Sequence, residues 1–287
     1  MSITNSKING AVFAGLLLLV TLVGSPSKCE AQHKHPLDTI ECHIVGFSFG
    51  TMFPSNALSK VTMPSGETSQ NATMHSLYKS PWLDFGVNGF YKYKSNWLVS
   101  LDANLWFGND NLSNRTTRMP NVFSQDDIII GTNGTDAVVT CYNRGLSFKA
   151  GVGKIFPLFP SKNPNSGILA RLNGGWMQQQ TIFMINDVNA PQIDGDYALL
   201  YDHQRRGFIL TEGIGYWFMS NYSNLINLYV TFEVSQCWSH STRDFMIDNY
   251  LGLHGKDNNS YFDLLFSVKL CWMFPLKGKS SQEYYYW

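Results

Sequence analysis

His240 and Thr242 stand two residues apart. On an extended strand, both side chains fall on one face. Ser239, Ser241 and Asp244 lie beside them. A histidine next to a hydroxyl can act as base for a nucleophile while a carboxylate orients the ring, which is the chemistry of acyl transfer. The plainer reading is a run of polar residues where a strand leaves an apolar environment. Beyond Cys29, the chain carries Cys42, Cys141, Cys237 and Cys271. An oxidising compartment would permit disulfides among these four. No CxxC spacing links them, so neither a zinc site nor a redox motif is supported. His33 and His35 read as part of a solvated leader rather than as metal ligands. No HExxH, GxSxG or phosphate-binding glycine loop occurs. The sequence therefore assigns no catalytic residue, no metal site and no cofactor.

The elements that carry these residues are strands. The chain has 287 residues, 44% hydrophobic, 14% aromatic and 15% charged, with 21 basic and 21 acidic residues. That balance excludes a nucleic-acid binder steered by bulk charge. With 19 Phe, 14 Tyr and 8 Trp, the chain has too much apolar surface to stay unfolded. Residues 1–31 read as a secretory signal peptide, with Lys7 ahead of an apolar run from Ala11 to Gly24. That run is shorter than the roughly 20 residues a membrane-spanning helix needs. Residues 32–39 form a leader. From residue 40 the pattern alternates with period two, the signature of half-buried strands. Eight such segments fall at about 41–53, 82–94, 96–108, 143–156, 166–183, 207–220, 226–243 and 260–274. Most reach the 9–11 residues a tilted strand needs to cross a bilayer. Their connections run long, short, long, short, long, short, long, as in barrels with long outer loops and short periplasmic turns. The expected fold is all-β: an eight-stranded antiparallel up-and-down transmembrane barrel over residues 40–275, with both termini periplasmic. A soluble barrel would show the same alternation turned inside out.

The two faces of the strands then sort the side chains. Val99, Leu101, Ala103, Leu105 and Phe107 share one face of the third segment, and Ser100, Asp102 and Asn104 share the other. Tyr93, Trp97, Phe107, Trp176, Trp217 and Trp272 fall toward segment ends, where amphipathic rings suit the two membrane interfaces. The polar phase directs Asp84, Asp102, Glu212, Glu233 and Asp263 into the lumen, with Lys149, Arg171 and Lys269. The sixth segment is ambiguous, because Leu210, Ile214 and Tyr216 share a phase with Glu212. An eight-stranded interior is just wide enough for its own side chains, so mixed charges there point to a paired ionic core rather than a conduction path. Closure makes the first and last strands neighbours, and Cys42 and Cys271 lie near the periplasmic rim, so they are a candidate disulfide. Cys141 and Cys237 are a weaker pair, and buried free thiols are the alternative for all four. The loop residues Ile128 to Ile130 and Tyr197 to Tyr201, beside Arg205 and Arg206, are a candidate protein-binding surface.

Four motifs carry a family resemblance. They are Phe47-Ser-Phe-Gly opening the first strand, Tyr201-Asp202 through Gly207-Phe208 entering the sixth, Tyr261-Phe262-Asp263 opening the last, and the tail Glu283-Tyr-Tyr-Tyr-Trp287. With these, residues 40–287 resemble the small outer-membrane β-barrel proteins of Bacteroidota within the OmpA/OmpX-like superfamily. The resemblance implies the outer membrane of a Gram-negative bacterium, surrounding lipid, and no nucleic acid. It also implies a non-enzymatic role as envelope anchor or scaffold, including accessory parts of secretion or gliding machines. Partners would dock on the outer loops or on a periplasmic aromatic tail, residues 276–287. The alternatives are a narrow gated channel and a lipid A-modifying enzyme. For the enzyme, His240 and Thr242 resemble the His and hydroxyl nucleophile of outer-membrane lipid A deacylases, with Thr standing here in place of Ser.

Overall fold

The computed structural model describes residues 39–54, 60–62, 68–69, 81–110, 122–124, 128–159, 163–186, 190–220, 226–248 and 253–276. The expected signal peptide, all of the leader but its last residue, and the aromatic tail beyond Leu276 lie outside the described residues. Eight long strands form the body: β1 (Cys42–Pro54), β2 (Trp82–Lys92), β3 (Trp97–Asp110), β4 (Asp136–Pro157), β5 (Gly167–Asn186), β6 (Gln204–Met219), β7 (Asn227–Ser241) and β8 (Ser260–Leu276). Each pairs antiparallel with the next, and β1 pairs with β8, so the sheet closes. Closure matters physically, because it leaves no unpaired sheet edge in a medium without water. The short connections share one end of the barrel with both strand termini; the long ones share the other, here called the loop end. The β2–β3 turn is tight because Asn96 takes a left-handed conformation, φ 62°, which asparagine tolerates. Its amide donates to the Tyr93 carbonyl at 2.9 Å.

The faces are reversed relative to a water-soluble barrel. Leu83, Phe85, Val99, Leu101, Val230, Phe232, Val268 and Leu270 are exposed on the outer wall, while aspartates, lysines and arginines are buried in the bore. Apolar surface of that extent around a closed sheet is what a lipid bilayer solvates. Inside, three layers stack along the axis. Nearest the loop end, Met52, Trp82, Trp106, Met177, Ile209, Cys237 and Leu265 form an apolar layer. Nearest the terminal end, Ile44, Phe90, Leu98, Ile155, Leu169, Trp217 and Tyr229 form another. The charged layer lies between them. Two of the large rings fit this narrow bore beside glycine: a Cβ on Gly108 would overlap the Trp82 indole, and one on Gly145 would overlap Trp106.

One boundary differs from the sequence expectation by more than three residues. β4 begins at Asp136 rather than near residue 143, because Val138, Val139 and Thr140 continue the β4–β5 ladder beyond the barrel wall, up to Val138 opposite Asn186. Isoleucines 129 and 130, expected in a loop, pair as a short strand with this extension. The phase of β6 is the larger correction. Ile209, Thr211 and Trp217 point inward with Gly213 and Gly215, while Glu212, Ile214 and Tyr216 point outward. Glu212 is therefore exposed on the outer wall and is not a lumen residue. Trp217 is buried in the bore and is not part of an interfacial girdle. It stacks on Tyr229 at 5.7 Å between ring centroids, with Phe90 edge-on to both.

Candidate functional site

The bore is the site where chemistry-bearing side chains converge. Asp84 comes from β2, Asp102 from β3, Lys149 from β4, Arg171 from β5, Glu233 from β7 and Lys269 from β8, all buried. They interleave by sign. Lys269 Nζ lies 2.7 Å from Asp84 and 3.2 Å from Glu233. Arg171 pairs with Glu233 and lies 3.3 Å from Asp102. Neutral partners take up the remaining valences: Asn104 donates to Asp84 at 3.0 Å, Asn173 to Asp102 at 2.5 Å, and Thr231 to Glu233 at 3.3 Å. Lys149 donates to Thr211 at 3.5 Å, and Thr211 and Ser235 share a hydrogen bond of 2.9 Å. The Arg171 guanidinium lies 5.5 Å over the Tyr229 ring, which joins the charged layer to the apolar one beneath it.

Arg205, read from sequence as a loop residue, is buried and pairs with Asp263 at 3.0 Å. Its guanidinium covers the Tyr261 ring at 4.4 Å. Once the phase of β6 is fixed, Arg205 follows, since it shares its face with Ile209 and Thr211. Removing Glu212 from the bore and adding Arg205 changes the charge count. The central layer then holds three acids (Asp84, Asp102, Glu233) with three bases (Lys149, Arg171, Lys269), the Arg205–Asp263 pair lies toward the loop end, and Lys92 is buried toward the terminal end. Mixed and balanced charge at this density holds strands together; it does not present one sign to a passing ion.

A polar latch closes the terminal end. The Ile40 amide and the Lys92 ammonium both donate to the Asn165 side-chain oxygen, at 2.8 and 3.0 Å, and Lys92 also donates to the Ile40 carbonyl at 2.9 Å. Asn163 and Ser166 donate to the Met219 carbonyl at 2.8 and 3.1 Å. The chain entering β1 is thereby tied across to the β4–β5 and β6 ends. At the loop end, Ile129, Ala137, Ala190 and Ile193 form a small core with Val122, Phe123, Phe183 and Tyr201 packed on it. Asp202 pairs there with Arg243 and accepts from Gln180 at 2.7 Å. Burial pushes the Asp202 carboxyl above its ordinary value of 3.8, with Arg243 opposing the shift.

The remaining expected sites separate. Cys42, Cys237 and Cys271 are free thiols. Cys271 faces Ser48 across the β1–β8 seam, six residues along β1 from Cys42, which is roughly 20 Å at about 3.3 Å per residue. A disulfide needs Cα atoms roughly 4.4–6.8 Å apart, so no Cys42–Cys271 bridge forms. His240 hydrogen-bonds Ser260 across the β7–β8 pair at 3.3 Å, not Thr242, whose hydroxyl donates to the Gln204 carbonyl at 3.2 Å. Among the described residues no carboxylate hydrogen-bonds His240, so the acyl-transfer arrangement is not assembled. Tyr93, Trp97 and Trp272 are exposed toward the terminal end of the outer wall, and Phe107 and Trp176 toward the loop end. Among the described residues no group of three or more His, Cys, Asp or Glu could hold a metal ion.

No family model matches the chain, and no curated protein matches it in sequence. Solved structures do. Ail of Yersinia pestis, the attachment invasion locus protein, solved in complex with the heparin analogue sucrose octasulfate, matches at 9% identity and TM-score 0.36. That match covers 81% of this chain and 99% of that one. The N-terminal β-barrel domain of Pseudomonas aeruginosa OprF matches at 8% identity and TM-score 0.33, over 82% and 99%. Neisserial surface protein A matches at 8% identity and TM-score 0.27, over 79% and 95%. The closed strand pairing and the reversed faces, not these distant likenesses, establish the barrel.

Proposed function

We propose that this chain is a non-conducting, non-enzymatic anchor of the outer membrane, which holds other envelope components through its outer loops or its C-terminal tail. The observation that carries this reading is the filled bore: an apolar layer, a balanced ionic layer, a second apolar layer and a polar latch follow one another along the axis. A channel needs a continuous wet path, and an enzyme needs a base, a nucleophile and an orienting group together. Neither requirement is met among the described residues. What remains for partners is the outside of the molecule. At the loop end, Ile130, Tyr197, Leu199 and Phe245 are exposed above the small loop core. At the other end, the sequence after Leu276 is a basic and aromatic segment. An accessory of a secretion or gliding machine is one role within this class.

Planar-bilayer recording of the purified full chain tests the first half of this reading. No unitary conductance is expected, and reproducible steps that change on Glu233→Gln would replace the anchor with a channel. Crosslinking in the native membrane tests the second half. A discrete assembly that disappears when the chain is truncated after Leu276 is expected. An unassembled protein in both forms would remove the scaffold role.

A further inference from the structure

Three polar side chains of the outer wall fall on one line along the membrane normal. Followed square to the strands from Trp97 through Lys154, Ala170, Ile214 and Phe232, the register returns to β3 at Phe107, ten residues nearer the loop end. With about 3.3 Å per residue and about 4.8 Å between strands, the strands tilt by about 40°. On that lattice Glu212 on β6 lies roughly 11 Å nearer the loop end than Lys154 on β4, and Gln236 on β7 roughly 8 Å beyond Glu212. Their sideways offsets are only about 3 and 1 Å. Glu212 is exposed, and Lys154 and Gln236 are half-buried between bore-facing neighbours. The Lys154 ammonium donates to the Ser95 carbonyl in the β2–β3 turn and lies 5.0 Å from the centre of the Trp97 ring, which holds it at the terminal edge of the belt. Gln236 stands two residues from the exposed Trp238, toward the loop edge. Glu212 lies between them, at a depth where hydrocarbon offers no hydrogen bond. A groove of about 470 Å³ occupies the stretch from Lys154 to Glu212. It lies over Ala170, whose methyl is smaller than the flanking Val152, Leu172 and Ile214 side chains.

We propose that this wall, from β4 to β7, is a track on which the headgroup of a zwitterionic phospholipid, phosphatidylethanolamine, crosses between leaflets while its chains stay in the bilayer. Charge complementarity names the occupant. The phosphate only accepts hydrogen bonds, and the ammonium only donates them. Lys154 donates, the Glu212 oxygens accept whether or not the carboxyl carries a proton, and Gln236 does both. In a bare bilayer the headgroup must cross about 25 Å of hydrocarbon. On this wall the longest gap between polar side chains is about 11 Å, and the groove gives the headgroup room on that step. No bond is made or broken, and the filled bore takes no part. The proposal rests on the belt facing lipid and not on what the loops or tail hold, so failure of the anchor reading leaves it standing.

The test uses the full chain in vesicles of phosphatidylethanolamine and phosphatidylglycerol, with a trace of phosphatidylethanolamine labelled by a fluorophore on one acyl chain. Dithionite added outside bleaches label in the outer leaflet at once and label from the inner leaflet only as it crosses. The parent chain should expose nearly all the label, and protein-free vesicles only the outer share. Glu212→Leu and the groove-filling Ala170→Trp should each slow the crossing phase roughly tenfold or more. Glu212→Gln, which still accepts hydrogen bonds, should keep most of the rate. Thr51→Val, which removes a polar group from the outer face of β1, should leave the rate unchanged. Unboiled and boiled gel mobilities confirm that each variant is inserted and folded, and a trapped water-soluble dye confirms that the vesicles exclude dithionite. A parent chain no faster than protein-free vesicles overturns the proposal. So does a Glu212→Leu chain that moves lipid like the parent, including one that instead loses contact with a second copy or another protein. Glu212→Leu and Thr51→Val slowed alike overturn it too. Conductance and crosslinked assembly, which decide the anchor reading, are separate readouts.

Discussion

Replacing Arg171 with methionine keeps most of the side-chain volume and removes one positive charge from the centre of the bore. Arg171 is the direct cationic partner of Asp102, at 3.3 Å, and one of two for Glu233, which keeps Lys269 at 3.2 Å. The substitution therefore strands Asp102 with Asn173 as its close partner. Breaking a buried pair by removing one member costs about 3–5 kcal/mol, because the other charge is left uncompensated. Glu233→Leu alone should cost a similar amount. If the two losses were independent, the double variant would lose roughly 6–10 kcal/mol. The geometry forbids independence. With both gone, Asp84 and Asp102 still face Lys269 and Lys149, so the layer is balanced again. The double variant should lose no more than about 5 kcal/mol, a coupling of at least ~1 kcal/mol. Urea unfolding of the vesicle-embedded protein, followed through its 8 tryptophans, measures all four corners of this cycle. A double variant that loses the full sum would refute the interleaved network.

Three further outcomes are expected. Gly145→Ala, which forces a methyl into the Trp106 indole, should destabilise the folded barrel by about 1–3 kcal/mol in the same urea assay, whereas Gly134→Ala, in an open loop, should disturb no ring. Peptide mapping after alkylation in denaturant without reductant should find Cys42, Cys237 and Cys271 fully modified; an unmodified Cys42–Cys271 peptide pair would contradict the register of β1 and β8. Because burial raises the Asp202 carboxyl, the folded loops bind its proton more readily than the unfolded chain does. That contribution is complete below the ordinary value of 3.8 and fades as pH rises through the raised one, so lowering pH from about 7 to 5 should leave amide protection around Asp202 unchanged or increased. A loss of protection there would show that Arg243 outweighs burial.

The fold was legible because lipid and a filled bore impose opposite chemistry on alternate residues. In β3, Val99, Leu101 and Leu105 alternate with Ser100, Asp102 and Asn104, and both face and fold follow. In β6 that signal fails for a physical reason. Its inward positions include Gly207, Gly213 and Gly215, which carry no side chain to declare a phase, and its one carboxylate lies on the lipid side. Charge pointed one way and Leu210, Ile214 and Tyr216 the other, and charge was the wrong guide. Trp217 follows from the same misjudged parity. The Cys42–Cys271 bridge failed differently. Closure does make β1 and β8 neighbours, but it says nothing of how far one strand slides along the other, and that offset is fixed by the tilt of all eight strands together. Which cation meets which carboxylate is equally a product of register, so the members of the bore were readable and their pairs were not.

The charge count links the inside of the barrel to its outer wall. With Glu212 inside and Arg205 outside, the bore would gain a carboxylate and Asp263 would lose the base that pairs with it, a costly arrangement in a narrow interior. With the observed phase, every acid of the bore has a base within it. Glu212 is therefore not a displaced member of the interior network. Glu212 instead stands on the outer wall between Leu172 and Val234, at the lip of a groove that Lys154 also lines.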